Sequence, residues 1–467
     1  MPQVSLPLTG GKSKAGFFVA KKIVNFYPEP MQSPDGRGPA ELKPTPGNTV
    51  FSTPGGAIRG GYGHEVHGLY VVSGTTLYYI NSSGAATSRG TIGGTGQCML
   101  ECNGAEIFIL ADSAGYIFNT NTNTLTAITN PNYQQANSVT YNDGYFFLTA
   151  GRSRFISNQF DGLNYSSLAS GISTSIIDTV KGAKQYRDDI YVFGGVKTEV
   201  LTNTGQGDFP YALINGGVIN KGCFSRFTIQ EMSDCIIWLG NDFIFYKSAN
   251  YSPEPVSEPW LAQEIKALSN PANVASSTFF LDGQEIYVVS FYTDNKTYIY
   301  SKMTGAWVEA TSGVSGASAW NGTVTLAAYG KQYSFCIGGT KVFELSSSSY
   351  ADDSNEIVRI LQTAPIFVDD GIITHDRVEL ILKSGIGTSS GSDTDPLVSL
   401  SFSDDGGATF IDAGNRSAGL IGSNETRVVW DGLGMSSAKG RVYKFTFSAK
   451  VQWSIAGLEI GGGRRKS

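Results

Sequence analysis

The chain has 467 residues, of which 41% are hydrophobic and only 16% charged, against roughly 25% charged in an ordinary soluble domain. Its 34 basic and 40 acidic side chains leave a formal charge of −6, which excludes a protein that grips nucleic acid with its whole surface, because phosphate binding needs a positive face. The 57 glycines beside 23 tyrosines and 26 phenylalanines point to short strands and tight turns rather than helices, in a chain long enough for two or three domains.

No stretch approaches 18 uninterrupted apolar residues, so no transmembrane helix is expected. Residues 1–16 lack the basic-then-apolar layout of a signal peptide. Residues 1–58 hold Pro2, Pro7, Pro28, Pro30, Pro34, Pro39, Pro44, Pro46 and Pro54 among the 17 prolines of the chain. Proline fixes φ and removes a donor, so this segment reads as an extended arm, neither a central strand nor a long helix. Phe17, Phe18, Val19, Ile23, Val24, Phe26 and Tyr27 punctuate it. A free linker has no use for such pegs. Phe17, Phe18, Phe26 and Tyr27, with Pro28 beside them, are therefore candidates for contact with a neighbouring subunit or, alternatively, with the arm's own propeller.

Residues 59–346 repeat one pattern: a polar or Gly turn, an alternating apolar strand, a Gly, and an aromatic strand. The copies anchor on Leu69, Ile107, Tyr145, Ile190, Ile236, Ile286 and Phe335, which by subtraction are 38, 38, 45, 46, 50 and 49 residues apart. Alternation marks strands, and a hairpin repeat of roughly 40–50 residues is the signature of a β-propeller blade. The expected fold is all-β, with a propeller of about seven blades, or six if one copy is a connecting hairpin. A large array of β-sandwiches is the competing arrangement.

The composition shifts near residues 346–355. Beyond, residues 347–460 carry candidate strands at 357–363, 377–382, 397–403, 427–430, 441–447 and 452–460, fitting a small β-sandwich or jelly roll. Residues 461–467 are expected to form a flexible basic tail.

Candidate chemistry is sparse. The five cysteines are odd in number and read as reduced thiols. His64 and His67 have no further ligand at zinc-site spacing. Paired acidic residues such as Asp188–Asp189, Asp352–Asp353 and Asp369–Asp370 read as turn caps. Elbow, phosphate-loop and zincin motifs are missing. Ser403, Asp405, Gly407 and Phe410 match the S-x-D-x-G-x-x-[FW] Asp-box. There Asp405 caps the turn, Gly407 allows positive φ and Phe410 packs back on the hairpin. Such boxes occur in sialidases but lie away from the catalytic centre. No catalytic, cofactor-binding or metal-ligating residues are expected.

Several short motifs occur in a distinctive order: Leu6-Pro-Leu8, Lys21-Lys-Ile-Val-Asn-Phe-Tyr-Pro-Glu-Pro30, the Gly195–Leu201 stretch, Ile219-Asn-Lys-Gly-Cys223 and Ile237–Tyr246. Gly305-Ala-Trp307, the Leu400–Gly407 stretch, Val429–Gly434 and Arg441-Val-Tyr-Lys-Phe445 follow. This order resembles the packaged-DNA stabilisation, or tail nozzle (tail accessory), family of short-tailed bacteriophages. The resemblance implies a non-enzymatic virion component, made in the host cytoplasm, that assembles as a homohexameric ring below the portal and its adaptor ring. Such a ring extends and closes the DNA exit channel after packaging, and docks a needle or plug and the tailspikes or fibres. No small-molecule substrate is implied. DNA passes through without sequence-specific binding, and the low charge suits a wall with few basic side chains facing the ring axis. The alternative class is a glycan-binding or glycan-cleaving propeller, depolymerase- or sialidase-like, which would need clustered arginines and a Tyr–Glu pair at the propeller centre. A host-receptor adhesin is a third.

Overall fold

Five four-stranded antiparallel sheets, with four-stranded parts of two larger sheets, account for the repeat. The computed structural model describes residues 3–4, 6–11, 21–31, 40–313, 315–367, 372–436, 440–462 and 464–465; Phe17, Phe18, Asp369 and Asp370 lie outside them. The sheets occupy residues 58–91, 98–127, 138–172, 182–219, 230–255, 274–312 and 324–346, here blades 1 to 7. The first strands of successive blades touch in order, and Val324–Ala328 of blade 7 touches Ile58–His64 of blade 1. The ring is therefore a closed propeller, and the blade count is seven. Every sequence anchor lies in the second strand of its blade, for example Ile107 in Glu106–Ala111 and Phe335 in Lys331–Phe335.

Period-two alternation explains how the blades cohere. In Glu106–Ala111, Ile107 and Ile109 join a core with Tyr70, Val72 and Leu77 of blade 1. Phe108 and Leu110, on the other face, join Val139, Phe146 and Leu148 of blade 3. A strand buried on both faces needs apolar residues at nearly every position, and each fully buried Ile, Leu or Phe contributes about 1.5–3 kcal/mol. Turn chemistry closes the hairpins. Asp143–Gly144 and Asp282–Gly283 both sit at positive φ, 49° and 91° in the first and 47° and 81° in the second, as the tightest hairpin turns demand.

Blade 7 takes its fourth strand from the other end of the chain. Gly47–Ser52 pairs with Val342–Ser346, so residues from near the start of the sequence close the ring. Lys22–Val24, Phe26–Pro30 and Ala40–Pro44 join the sandwich sheets. Lys22–Val24 pairs on one side with Ala306–Ser312 of blade 6 and on the other with Arg359–Gln362. One sheet thus runs from blade 6 through Lys22–Val24 and Arg359–Gln362 to Val442–Phe447, Leu397–Ser403 and Ile411–Ser417. Facing it is a second sheet in the order Phe26–Pro30, Ala40–Pro44, Ile455–Gly461, Arg377–Leu382, Val428–Asp431. Between them lies one core that also takes in Ile286, Val288, Ile299 and Trp320 of blade 6 and its surroundings.

The extended arm expected for residues 1–58 is corrected by these pairings. Lys22–Val24 contains no proline and is a central strand. Phe26–Pro30 contains two prolines and lies at a sheet edge, where a missing N–H costs no ladder bond. Ile411–Ser417 escaped the sequence reading because Asp412, Gly414 and Asn415 lower its strand propensity. The helix Pro259–Lys266, which starts on a proline and buries Trp260, Leu261 and Ile265, is a further addition between blades 5 and 6.

Candidate functional site

Four places carry the chemistry that the sequence singled out or that only the fold reveals. The first is the seam between propeller and sandwich. Asn25 stands between the strands Lys22–Val24 and Phe26–Pro30 at φ 57°, a left-handed conformation that asparagine tolerates better than most residues. The corner it makes passes the chain from one sandwich sheet to the other. Its Nδ2 donates to the Thr311 carbonyl at 3.1 Å and the Val358 carbonyl at 2.8 Å, and its Oδ1 accepts from Thr311 N–H at 2.8 Å. One side chain thus bonds blade 6 to the sandwich.

That corner decides the fate of the predicted interface residues. Phe26 is fully buried and meets the Phe447 ring edge-on, with centroids 5.3 Å apart. Tyr27 is buried and donates to Asp282 Oδ2 at 2.9 Å. Burial, then the neighbouring Asp282 carboxylate, pushes its phenol far above the usual range. Pro28 is buried opposite Leu42 on the edge strand. All three are buried within the subunit, Phe26 and Pro28 on one face of the strand and Tyr27 on the other, because both faces are covered after the Asn25 corner.

The second place is the propeller axis. A pit of about 340 Å³ opens there, lined by first strands of six blades and by Arg226 and Phe227. Gly60, Gly61 and Gly63 keep it narrow: a Cβ on Gly60 would stand 2.7 Å from the Cys98 carbonyl, and one on Gly63 would stand 2.8 Å from that of Ala327. Lys184 Nζ pairs with Glu101 Oε1 at 2.6 Å. Burial works against charge on Lys184, but Glu101 outweighs it and holds the amine above its ordinary value. Burial pushes the Glu231 carboxyl up, against the pull of Lys184. Tyr62 is pushed up by burial, then by Cys102, the wrong direction for a phenolate nucleophile. Arg226 is the one arginine of the lining, set over the Phe227 ring at 4.5 Å. This is not the arginine cluster that a sialidase-like centre asks for.

The third place is the Asp-box, where Asp405 caps the hairpin between Leu397–Ser403 and Ile411–Ser417. Asp405 Oδ1 accepts from Ser403 Oγ at 2.6 Å and from Ala408 N–H at 2.9 Å, and Gly407 N–H donates to Ser403 Oγ at 2.7 Å. Gly406 and Gly407 have φ of 80° and 93°. Hydrogen bonds, first from Ser403 and then from Thr409, hold the Asp405 carboxyl far below the usual range. Phe410 is half-buried with Lys444 Nζ 4.3 Å from its ring centroid. Every bond of the box stays inside the turn.

The fourth is a set of buried polar nodes that the sequence reading missed. Arg154 of blade 3 pairs with Glu199 of blade 4 at 2.8 Å, and Glu199 also accepts from Thr174 N–H. Arg441 forks onto Asp404, with both N···O distances 2.7 Å, and donates to the Leu433 and Met435 carbonyls. Two of the ordered motifs, the Asp-box stretch and Arg441–Phe445, are thereby one contact. Beside it His375 is fully buried, its Nδ1 2.6 Å from the Tyr443 hydroxyl. Burial, with Arg441 nearby, pushes the imidazole down to about 4. Nothing in the spacing of residues 375, 404, 441 and 443 signals that they meet. The ring centroids of His64 and His67 lie 4.9 Å apart at a surface turn, and no group of three metal-ligating side chains forms among the described residues.

Two family models match the chain. One, described as "Bacteriophage P22 Gp10, beta-propeller", matches residues 4–340, and the other, "Bacteriophage P22 Gp10, beta-sandwich", matches residues 358–463. No curated protein matches the sequence. Among solved structures, the computationally designed Ika8 protein aligns at 10% identity and a TM-score of 0.40, over 63% of this chain and 99% of that one. BamB from Moraxella catarrhalis aligns at 9% identity and a TM-score of 0.40, over 74% and 97%. The extracellular domain of the hybrid two-component system BT4673 from B. thetaiotaomicron aligns at 11% and 0.44, over 76% and 45%. Alignments this loose decide nothing about function.

Proposed function

The chain belongs to the family of bacteriophage P22 Gp10, structural proteins of the phage tail, and from that we propose that it is a tail nozzle subunit. In this proposal, copies assemble as a hexameric ring below the portal and its adaptor ring. The ring extends the DNA exit channel, helps to close it after packaging, and docks the needle or plug and the tailspikes or fibres. DNA passes through without being read, and the role is non-enzymatic.

The observation that carries the proposal is the weld. Blade 6 and the sandwich share one ten-stranded sheet and one core, which makes the subunit a stiff block rather than two modules on a tether. A ring that withstands packaged DNA needs such a block, whereas a catalytic propeller needs a furnished axial centre. The paired Lys184 and Glu101 and the single lining arginine do not furnish one.

With Phe26, Tyr27 and Pro28 buried, the intersubunit role proposed for the N-terminal segment rests on Phe17 and Phe18. The test is a phage deprived of this chain and supplied with variants. Without the chain, filled heads should lose DNA, and wild type should restore retention. The Phe17→Ala, Phe18→Ala pair should fold normally but load poorly onto adaptor-bearing heads. Heads that hold their DNA and infect without the chain would overturn the nozzle assignment.

A further inference from the structure

The longest strand among the described residues is also an unguarded one. Tyr211–Ile219 has nine residues, carries no charge, and forms the outer edge of blade 4. Natural sheets blunt such edges with short strands, lysines or prolines. Blades 3 and 4 surround it with exposed aliphatic residues: Leu168, Ile172, Ile177, Val196 and Leu213, of which Ile177 is 84% exposed. Hydrogen bonds hold this rim in shape. Asp178 accepts from Gly195 N–H at 2.8 Å, setting Ile177 beside Val196, and Arg152 donates to the Ser173 carbonyl at 3.1 Å, next to Ile172. Arg152, Lys181 and Lys197 stand on the rim, and none is ion-paired among the described residues. The acids nearby are already engaged, Asp178 by Gly195 and Glu199 by Arg154.

A second surface has the complementary character. Ile411–Ser417 is the fifth strand beyond the outermost strand of blade 6, about 24 Å out at the usual strand spacing. At one end of that far edge the loop 418–424 presents Leu420 and Ile421, 54% and 64% exposed, beside Leu397. It is rigid: Gly385 N–H donates to the Ala418 carbonyl, Ala418 N–H to the Pro396 carbonyl, and Ser423 N–H to the Leu420 carbonyl. Asp393, Asp395 and Glu425 ring this tip, and the nearest cations are engaged, Arg416 by the Val429 and Asn415 carbonyls, Arg427 by Glu379 and Lys383 by Gln452. Tip and rim lie far apart, because blade 3 is three positions from blade 6 and three is the widest separation that seven blades allow.

We propose that the sandwich tip of one copy docks on the blade 3–4 rim of the next. Leu397, Leu420 and Ile421 meet Ile172, Ile177 and Val196, and Asp393 and Glu425 face Lys181 and Lys197. The occupant of each surface is a second copy of this chain. A contact between unlike surfaces at opposite ends of a molecule is head-to-tail, and it closes into a ring when the rotation per copy closes. The proposal rests on the nozzle assignment and names the surface through which its ring forms.

The test uses tails assembled from an equal mixture of ¹⁴N- and ¹⁵N-labelled full-length chain, treated with a carbodiimide that joins lysine to carboxylate at contact. Mixed-isotope cross-links between Lys181 or Lys197 and Asp393 or Glu425 are expected. Reversing the rim, Lys181→Glu with Lys197→Glu, should cut incorporation about ten-fold, as should reversing the tip, Asp393→Lys with Glu425→Lys. All four changes in one chain should restore it, since every contact is then reversed on both sides. Melting curves matching wild type show that the variants fold. Rings that form normally in either two-site variant, or that cross-link only elsewhere, overturn this surface while leaving the nozzle intact. A single copy per tail overturns the ring and this contact with it.

Discussion

Asn25 holds a left-handed corner and engages its amide on both sides of the seam. Asn25→Ala removes those bonds, leaves half-buried carbonyl and N–H groups of Thr311 and Val358 unmet, and keeps the unfavourable φ. A loss of about 3 kcal/mol is expected in urea unfolding, with Asn25→Gly milder because glycine relieves the backbone. His375 gives a second residue-scale expectation. Its imidazole titrates near 4 when folded against an ordinary 6.5, so between those values the unfolded chain binds more protons and stability rises with pH. The contribution is whole above about pH 6.5 and is lost as pH falls toward 4, a difference on the order of 3 kcal/mol. Tyr443, Arg441, Asp404 and Asp376 face the ring. His375→Gln should flatten that part of the melting-temperature profile, and an unchanged slope would assign it to other groups.

At the scale of elements, the inner strand of blade 1 and the N-terminal strands are the sensitive parts. Gly60→Val places a branched side chain where even a Cβ comes within 2.7 Å of the Cys98 carbonyl. Backbone cannot swing aside as a side chain does, so blades 1 and 2 must part, at a cost of about 2–3 kcal/mol or more. Calorimetry against Gly11→Ala, where nothing lies within 4 Å of the added Cβ and φ is not positive, separates crowding from the general effect of losing a glycine. Removing residues 1–30 takes Ile23, Phe26 and Tyr27 out of the core. At about 1.5–3 kcal/mol for each, the melting temperature of a chain this long should drop by roughly 5–9 °C, so this truncation tests folding rather than assembly.

At the scale of the whole molecule, the shared sheet and core of blade 6 and the sandwich predict one cooperative unfolding transition. Separate propeller and sandwich transitions in calorimetry would show that the seam is weaker than its contacts suggest. The same continuity bears on the nozzle role. Load applied at the sandwich reaches the propeller through backbone ladders rather than a hinge, and Gly47–Ser52 keeps the ring closed from within blade 7.

The propeller was legible because its information is local. A hairpin strand finds its partner within about ten residues, as Glu106–Ala111 does in Ala114–Asn119, so alternation, aromatic content and Asp–Gly turns suffice to announce it. The Asp-box was legible for the same reason, being a single turn whose bonds close on themselves. The amino-acid sequence by itself thus determined an all-β chain of seven hairpin repeats, a second β unit and an ordered set of family motifs. Tertiary structure alone decided the rest: that Lys22 lies opposite Gln362, Gly47 opposite Ser346 and Asn25 across from Thr311, and that Phe26 and Tyr27 are core rather than pegs. Those partners are some 300 residues away, and the prolines around the strands that meet them mask those strands in the sequence. What assigns them is burial against surfaces that exist only once the propeller and sandwich have formed.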